Sequence, residues 1–213
     1  MLLPLVGMGL FVLLYILSAI NYPGGSWNFT DYNGFSFWDN YLCDLLDDYA
    51  INGELNSARF FARASLGILC ISIMFIWLFL PKLFKAKSDN LTVMWLTGLL
   101  SLIITLFLAS GTHDLIVRIA GVFGVIAIMT CLIELCKIKY YRLLMLGAFC
   151  LIVFLANYFI YETEYYLKTL PILQKITFTS FIVWFICLDI LLFRTLKLGN
   201  EKETAKKEYS NNP

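Results

Sequence analysis

The chain has 213 residues, 60% of them apolar and 15% charged, with a mean hydropathy of +0.78 and a net charge of +1. A soluble domain carries roughly 45–50% apolar and about 25% charged residues, so an ordinary cytosolic enzyme, a disordered chain and a secreted disulfide module are all excluded. Near-neutral charge with no basic stripe excludes nucleic acid as a partner.

About 20 apolar residues span a bilayer as a helix, and six stretches qualify, near 2–20, 57–81, 91–110, 115–136, 143–162 and 172–196. The sequence predicts an all-α integral membrane protein, one domain over residues 1–198, with a disordered tail at 199–213. The first span has no basic n-region and Leu17-Ser18-Ala19 is a poor version of a cleavage site, so it is read as a retained helix, with a cleaved signal peptide as the alternative. Lys82, Lys85 and Lys87, then Lys137, Lys139 and Arg142, then Arg194 to Lys207 mark alternate boundaries. By the positive-inside rule both termini face the cytoplasm of a multi-pass cell-membrane protein.

The first outer loop, 21–56, opens with turn chemistry at Pro23-Gly24-Gly25 and Asn33-Gly34. Within it, Trp38, Tyr41, Leu42, Leu45 and Tyr49 recur at helical spacing opposite Asn40, Asp44, Asp47 and Asp48. That period predicts a short interfacial helix over 37–49, its acidic side solvated. Asn28-Phe29-Thr30 is a glycosylation sequon, meaningful only in a eukaryote. Five cysteines fall inside spans and only Cys43 lies in a loop, so they read as packing residues.

Charge beside a membrane span is costly and marks function. Most of it collects at the outer boundary. His113 and Asp114 begin span four, with Arg118 one turn deeper; Arg59 and Arg63 share one face of span two; Glu162 ends span five and Lys175 begins span six. His113 is read either as a general acid–base oriented by Asp114 or Asp44, or as a plain interface histidine. Asp114 and Arg118 are spaced for an intrahelical ion pair, or Arg118 serves an anionic headgroup. Arg59 and Arg63 sit at a helix N-terminus, where the dipole disfavours cations, so lipid phosphates or the acidic residues 44–48 must compensate. On the inner side, Glu134 and Asp189 are expected to pair with Lys137 and Arg194. One histidine is too few for a multi-histidine zinc site, so no metal or cofactor is expected.

The run Asn40-Tyr41-Leu42-Cys43-Asp44-Leu45, followed by Asn56-Ser57 entering an apolar span, resembles the signature of a bacterial multi-pass membrane family, domain of unknown function 998. That family is similar in layout to the Frag/DRAM/Sfk group. His113 followed by Ala120-Gly121-Val122-Phe123 is similar to its second feature. Cys43 stands where the family has serine, and Leu46 where it commonly has glycine. The resemblance implies membership, not a reaction, and singles out Asp44 and Asn56.

Three functions follow as expectations. The first is a binding protein with a polar pocket at the outer interface, taking a lipid headgroup or small ligand through Arg59, Arg63, Arg118, Asn40 and Asn56. The second is a lipid hydrolase or transferase using His113, Asp114 and Asp44, with Cys43 as nucleophile. The third is a transporter, which lacks midplane charges and repeat symmetry. The oligomeric state is not legible.

Overall fold

The computed structural model of the chain describes residues 2–84, 88–108 and 113–211, with side chains through 198 apart from that of His113. Six α-helices run α1 Leu2–Ile20, α2 Arg59–Phe79, α3 Asp89–Thr105, α4 His113–Lys137, α5 Tyr141–Thr163 and α6 Leu170–Asn211. Five are long and apolar enough to cross a membrane; α3, with 17 residues, is the short apolar one. It stops early because the chain turns over Leu106–Leu108, whose amides bond carbonyls three or four residues back.

Each helix packs chiefly on its sequence neighbours: α1 on α2, α3 on α4, α5 on α6. Contacts of α6 with α1 and α2 close the ring. Because each connection reverses the chain, α1 begins and α6 ends at one face, the terminal face. Residues 21–58 roof the other, the loop face. Large apolar side chains such as Val6, Leu13, Val122, Met145 and Ile152 point outward and stay exposed, as a lipid-facing belt requires.

The core lies toward the terminal face, where Met8, Ile76, Leu80, Met94, Leu135, Trp184, Leu188 and Leu192 are all but fully buried. Glycines set its closest approaches, as expected where packing rather than hydrophobicity drives helix association. A Cβ on Gly147 would press on Trp184, whose indole donates to Leu143 O at 3.0 Å. A Cβ on Gly98 would overlap the Trp77 indole, which donates to Met94 O at 2.8 Å. Gly98→Ala is therefore expected to displace Trp77 and lose about 2 kcal/mol by overpacking. Thermal unfolding in detergent checks it; an unchanged midpoint sinks it.

Two inner-side acids behave differently. Glu134 accepts from Lys137 at 2.6 Å, as its spacing predicts, and also from Asn90 at 2.7 Å. Asp189 is fully buried, and neither carboxylate oxygen has a hydrogen-bond partner among the described residues. Its expected partner, Arg194, is five residues along, off the same face of the helix. Of the boundary lysines, Lys85 and Lys87 lie outside the described residues.

Two expected elements are corrected. No helix forms over 37–49; only a single 3-10 turn, Cys43–Leu45, appears there. Local side chains take the amides that a helix would use: Asn40 Oδ1 accepts from Ser36 N at 2.8 Å, Ser36 Oγ from Asp39 N at 3.3 Å, and Asp44 Oδ2 from Tyr41 N at 2.8 Å. Such bonds compete with helical ones. At the other end, α6 continues to Asn211 across the expected disordered tail. The Glu-, Lys- and Ala-rich sequence there has high helix propensity, and the apolar helix before it supplies the nucleus.

Candidate functional site

The roof is built around three buried polar side chains. Asn40, with no exposed surface, donates to Gly25 O at 2.8 Å and to Asp44 Oδ2 at 3.0 Å. Gly25 can offer its carbonyl there because it adopts φ +85, and a Cβ would strike the Asn52 amide. Asp44 also accepts from the Trp27 indole at 3.4 Å. Asn56 donates to the carbonyls of Asp44, Leu45 and Asp47 at 3.2, 3.2 and 2.9 Å and accepts from Ala58 N at 3.1 Å. Burial pushes the Asp44 carboxyl up to about 6, against the pull of hydrogen bonds from Asn40, the Tyr41 amide and Trp27. Asp44 is thus a buried hub, not part of a solvated acidic face.

The roof is pinned to the bundle by two helices, α1 and α6. Tyr15 of α1 donates to Leu42 O at 2.5 Å, and Gln174 of α6 accepts from Leu42 N at 2.7 Å. Lys175 of α6, buried, donates to Asn40 O at 2.7 Å and Pro171 O at 3.0 Å, with its ammonium over the Phe37 ring. Ser18 donates to Ala58 O at 2.9 Å where the roof enters α2.

Arg59 and Arg63 close the rim of the roof. Both reach Asp48 Oδ1, at 3.4 and 2.9 Å, and they donate to the carbonyls of Asn56 and Leu46 at 2.7 and 2.9 Å. This answers the unfavourable helix dipole with protein groups. An exposed pair of this kind contributes about 0–1 kcal/mol.

Beneath the roof lies a cavity of about 1120 Å³ lined by all six helices. Pockets for small ligands are typically about 300–1,000 Å³, so this one is large. Its loop-face end is polar and aromatic, lined by Trp27, Tyr41, Asp114, Arg118, Tyr161 and Glu162. Below that, Leu69, Ile73, Ile128 and Phe181 make it apolar, and Trp77 and Phe185 line its far end. Their rings meet edge to face at 6.1 Å. The α6 lining runs from Leu170 to Phe185, about 22 Å at a rise of 1.5 Å per residue. A single leaflet is about 15 Å of a 30 Å hydrocarbon core, so this lining is longer than one leaflet is deep.

At the mouth Arg118 pairs with Glu162 of α5 through two bonds, 2.9 and 3.2 Å, and not with Asp114 as its spacing predicts. Asp114 accepts instead from Tyr161 at 2.6 Å. Both helices begin or end here, so the contacts between helices outcompete the one along α4.

The predicted site residues therefore separate into two groups. Asn40, Asp44, Asn56, Arg59 and Arg63 build the roof; Asp114 and Arg118 line the mouth. His113 opens α4, and its side chain lies outside the described residues. Cys43 lines the cavity, but burial first and Asp44 second push its thiol up to about 12. A thiol so protonated is a poor nucleophile. Among the described residues no three His, Cys, Asp or Glu side chains gather as a metal site. Sequence reasoning missed Gln174, Tyr158 and Trp27; their signal was polar or amphipathic groups beside span ends.

Comparison with family models, curated proteins and solved structures finds no match, so the reading rests on this geometry.

Proposed function

We propose that this protein binds one long-chain amphiphile, its head at the mouth beneath the roof and its chain in the apolar shaft. The observation that carries this is a single cavity that is polar at one end, apolar along the rest, and deeper than one leaflet. The lysine and arginine pattern supports a cell-membrane protein with the roof outside and both termini in the cytoplasm. The Asn40–Leu45 and Asn56-Ser57 motifs support membership in the family named domain of unknown function 998.

Binding is preferred over catalysis because the cysteine at the cavity wall is protonated and Asp44 is committed to holding the roof. It is preferred over transport because the rings of Trp77 and Phe185 meet at the far end and no midplane charges or repeat symmetry in the sequence mark a substrate path. Gly121 lines the shaft, and a Cβ there meets only Phe154 at 3.5 Å, an ordinary contact. Gly121→Leu is therefore expected to fold and to fill the shaft. Lipid extracted from protein purified in nonionic detergent, quantified by mass spectrometry, should fall about tenfold in this variant, a difference of 1.4 kcal/mol. Equal co-purified lipid in both proteins, or none in the wild type, overturns the reading.

A further inference from the structure

We propose that the head of the bound amphiphile carries an ammonium group, so that the mouth selects cationic chains over anionic ones. This rests on the amphiphile reading and specifies its ligand. Among the described residues, four carboxylates line the cavity, Asp39, Asp114, Glu162 and Glu164, against two cations, Arg118 and Lys168. The guanidinium of Arg118 already spends two donors on Glu162. An anionic head would have to displace Glu162 and leave that carboxylate without its partner, beside three others.

The arginines that point to an anionic headgroup in the sequence do not reach the cavity. Arg59 and Arg63 are turned to Asp48 and to roof carbonyls. Lys175 is turned away as well, held by Asn40 O and Pro171 O. Lys168 sits on the exposed 3-10 turn Leu167–Thr169, as exposed as Glu164 on the same connection, so these two screened charges offset each other and Asp39 and Asp114 remain. The sign of the mouth is therefore set by its acids.

The surrounding surface fits the same ligand. Trp27 and Tyr41 lie with ring centroids 6.5 Å apart at 57°, and Tyr158 and Tyr161 line the mouth on α5. Aromatic faces attract ammonium groups, most strongly where water is excluded. Asp39 is held ionised below the usual carboxylate range by hydrogen bonds from Ser36, first, and Asn28. A weakly hydrated quaternary ammonium is thus attracted by negative charge and π faces together, whereas a sulfate or carboxylate is disfavoured by both.

The test uses the full chain in nonionic maltoside micelles and three chains of equal length: hexadecyltrimethylammonium, hexadecylphosphocholine and hexadecyl sulfate. Binding is read by calorimetry at low and high salt. The ammonium chain should bind about tenfold more tightly than the sulfate, equal to 1.4 kcal/mol, with the zwitterion between them. The preference should shrink with salt and fall severalfold in Asp39→Asn combined with Glu164→Gln. Gly121→Leu should lose binding of all three, and a preference that survives in that variant belongs to the micelle and overturns the proposal. Equal binding of all three, or tighter sulfate, overturns the ammonium selectivity while the amphiphile reading stands. No binding of any chain brings down both.

Discussion

Asn56→Ala is expected to open the roof and cost about 4 kcal/mol, because a buried side chain that serves four backbone groups has no substitute. Its two amide hydrogens are shared by the carbonyls of Asp44, Leu45 and Asp47, and its oxygen receives the Ala58 amide. Truncation strands those groups in a site closed to water. Asn56→Asp should be as damaging, since a carboxylate keeps the bond from Ala58 but faces the three carbonyls with negative charge. Thermal unfolding reads the loss. Labelling of Cys43 by a maleimide, located by peptide mapping, reads its place. The wild-type thiol is half-buried on the cavity wall and pushed up to about 12, so it should react slowly, and reaction should quicken in both variants. Loss of global stability with Cys43 still protected would refute the assignment of Asn56 to the roof. Asn28→Ala, which removes an exposed bond to Asp39, should leave both readings unchanged.

How far the sequence carried can be judged from these residues. The six helices were legible because each is a long apolar run, five of them of bilayer length, a signal that needs no tertiary context. Their lateral arrangement was not. Nothing along the chain places Gly98 against Trp77, or leaves a shaft between α6 and the other helices, since hydropathy reports depth and not neighbours. The polar residues at the loop face were legible as a group, yet their division was hidden. Asn40, Asp44 and Asn56 look like candidate ligands in one dimension, and the fold uses them to satisfy the backbone of a 38-residue crossing connection, 21–58. A loop that long over an apolar bundle must bury some of its amides, and buried amides need partners.

The misread helix over 37–49 has the same origin. Of its expected apolar face only Leu45 is buried, while Trp38 and Tyr49 stay exposed, and Ser36, Asn40 and Asp44 recur every four residues and bind the amides locally. Period-matched side chains that cap their own backbone favour a folded loop over a helix. The pair Gln174-Lys175, polar within an apolar span, was the one sequence sign of where that loop docks. Arg118 shows the complementary limit: its spacing fits Asp114, but Glu162 offers a two-pronged partner across the helix interface.

The roof should also respond to pH through Asp44. Its carboxyl is pushed up to about 6 from an unfolded value of 3.8, burial being the largest cause. A carboxyl raised on folding binds its proton more tightly in the folded state, so its contribution favours folding most below 3.8. That contribution falls as pH rises between the two values and is gone above about 6. The span of roughly two units corresponds to about 3 kcal/mol at 1.36 kcal/mol per unit. Asp44→Asn removes the titration while its amide oxygen can still accept from Tyr41 N. Asp39, held below the usual range, contributes with the opposite sign, so the comparison must be the difference between wild type and variant. Plotted from pH 4 to 8, the stability of the wild type relative to Asp44→Asn should decline through pH 4–6 and then level off. A flat difference would mean that Asp44 ionises in the folded roof as freely as in water. In that case the hydrogen bonds from Asn40, Tyr41 and Trp27 outweigh burial, and the roof is held by a carboxylate and not by a protonated carboxyl.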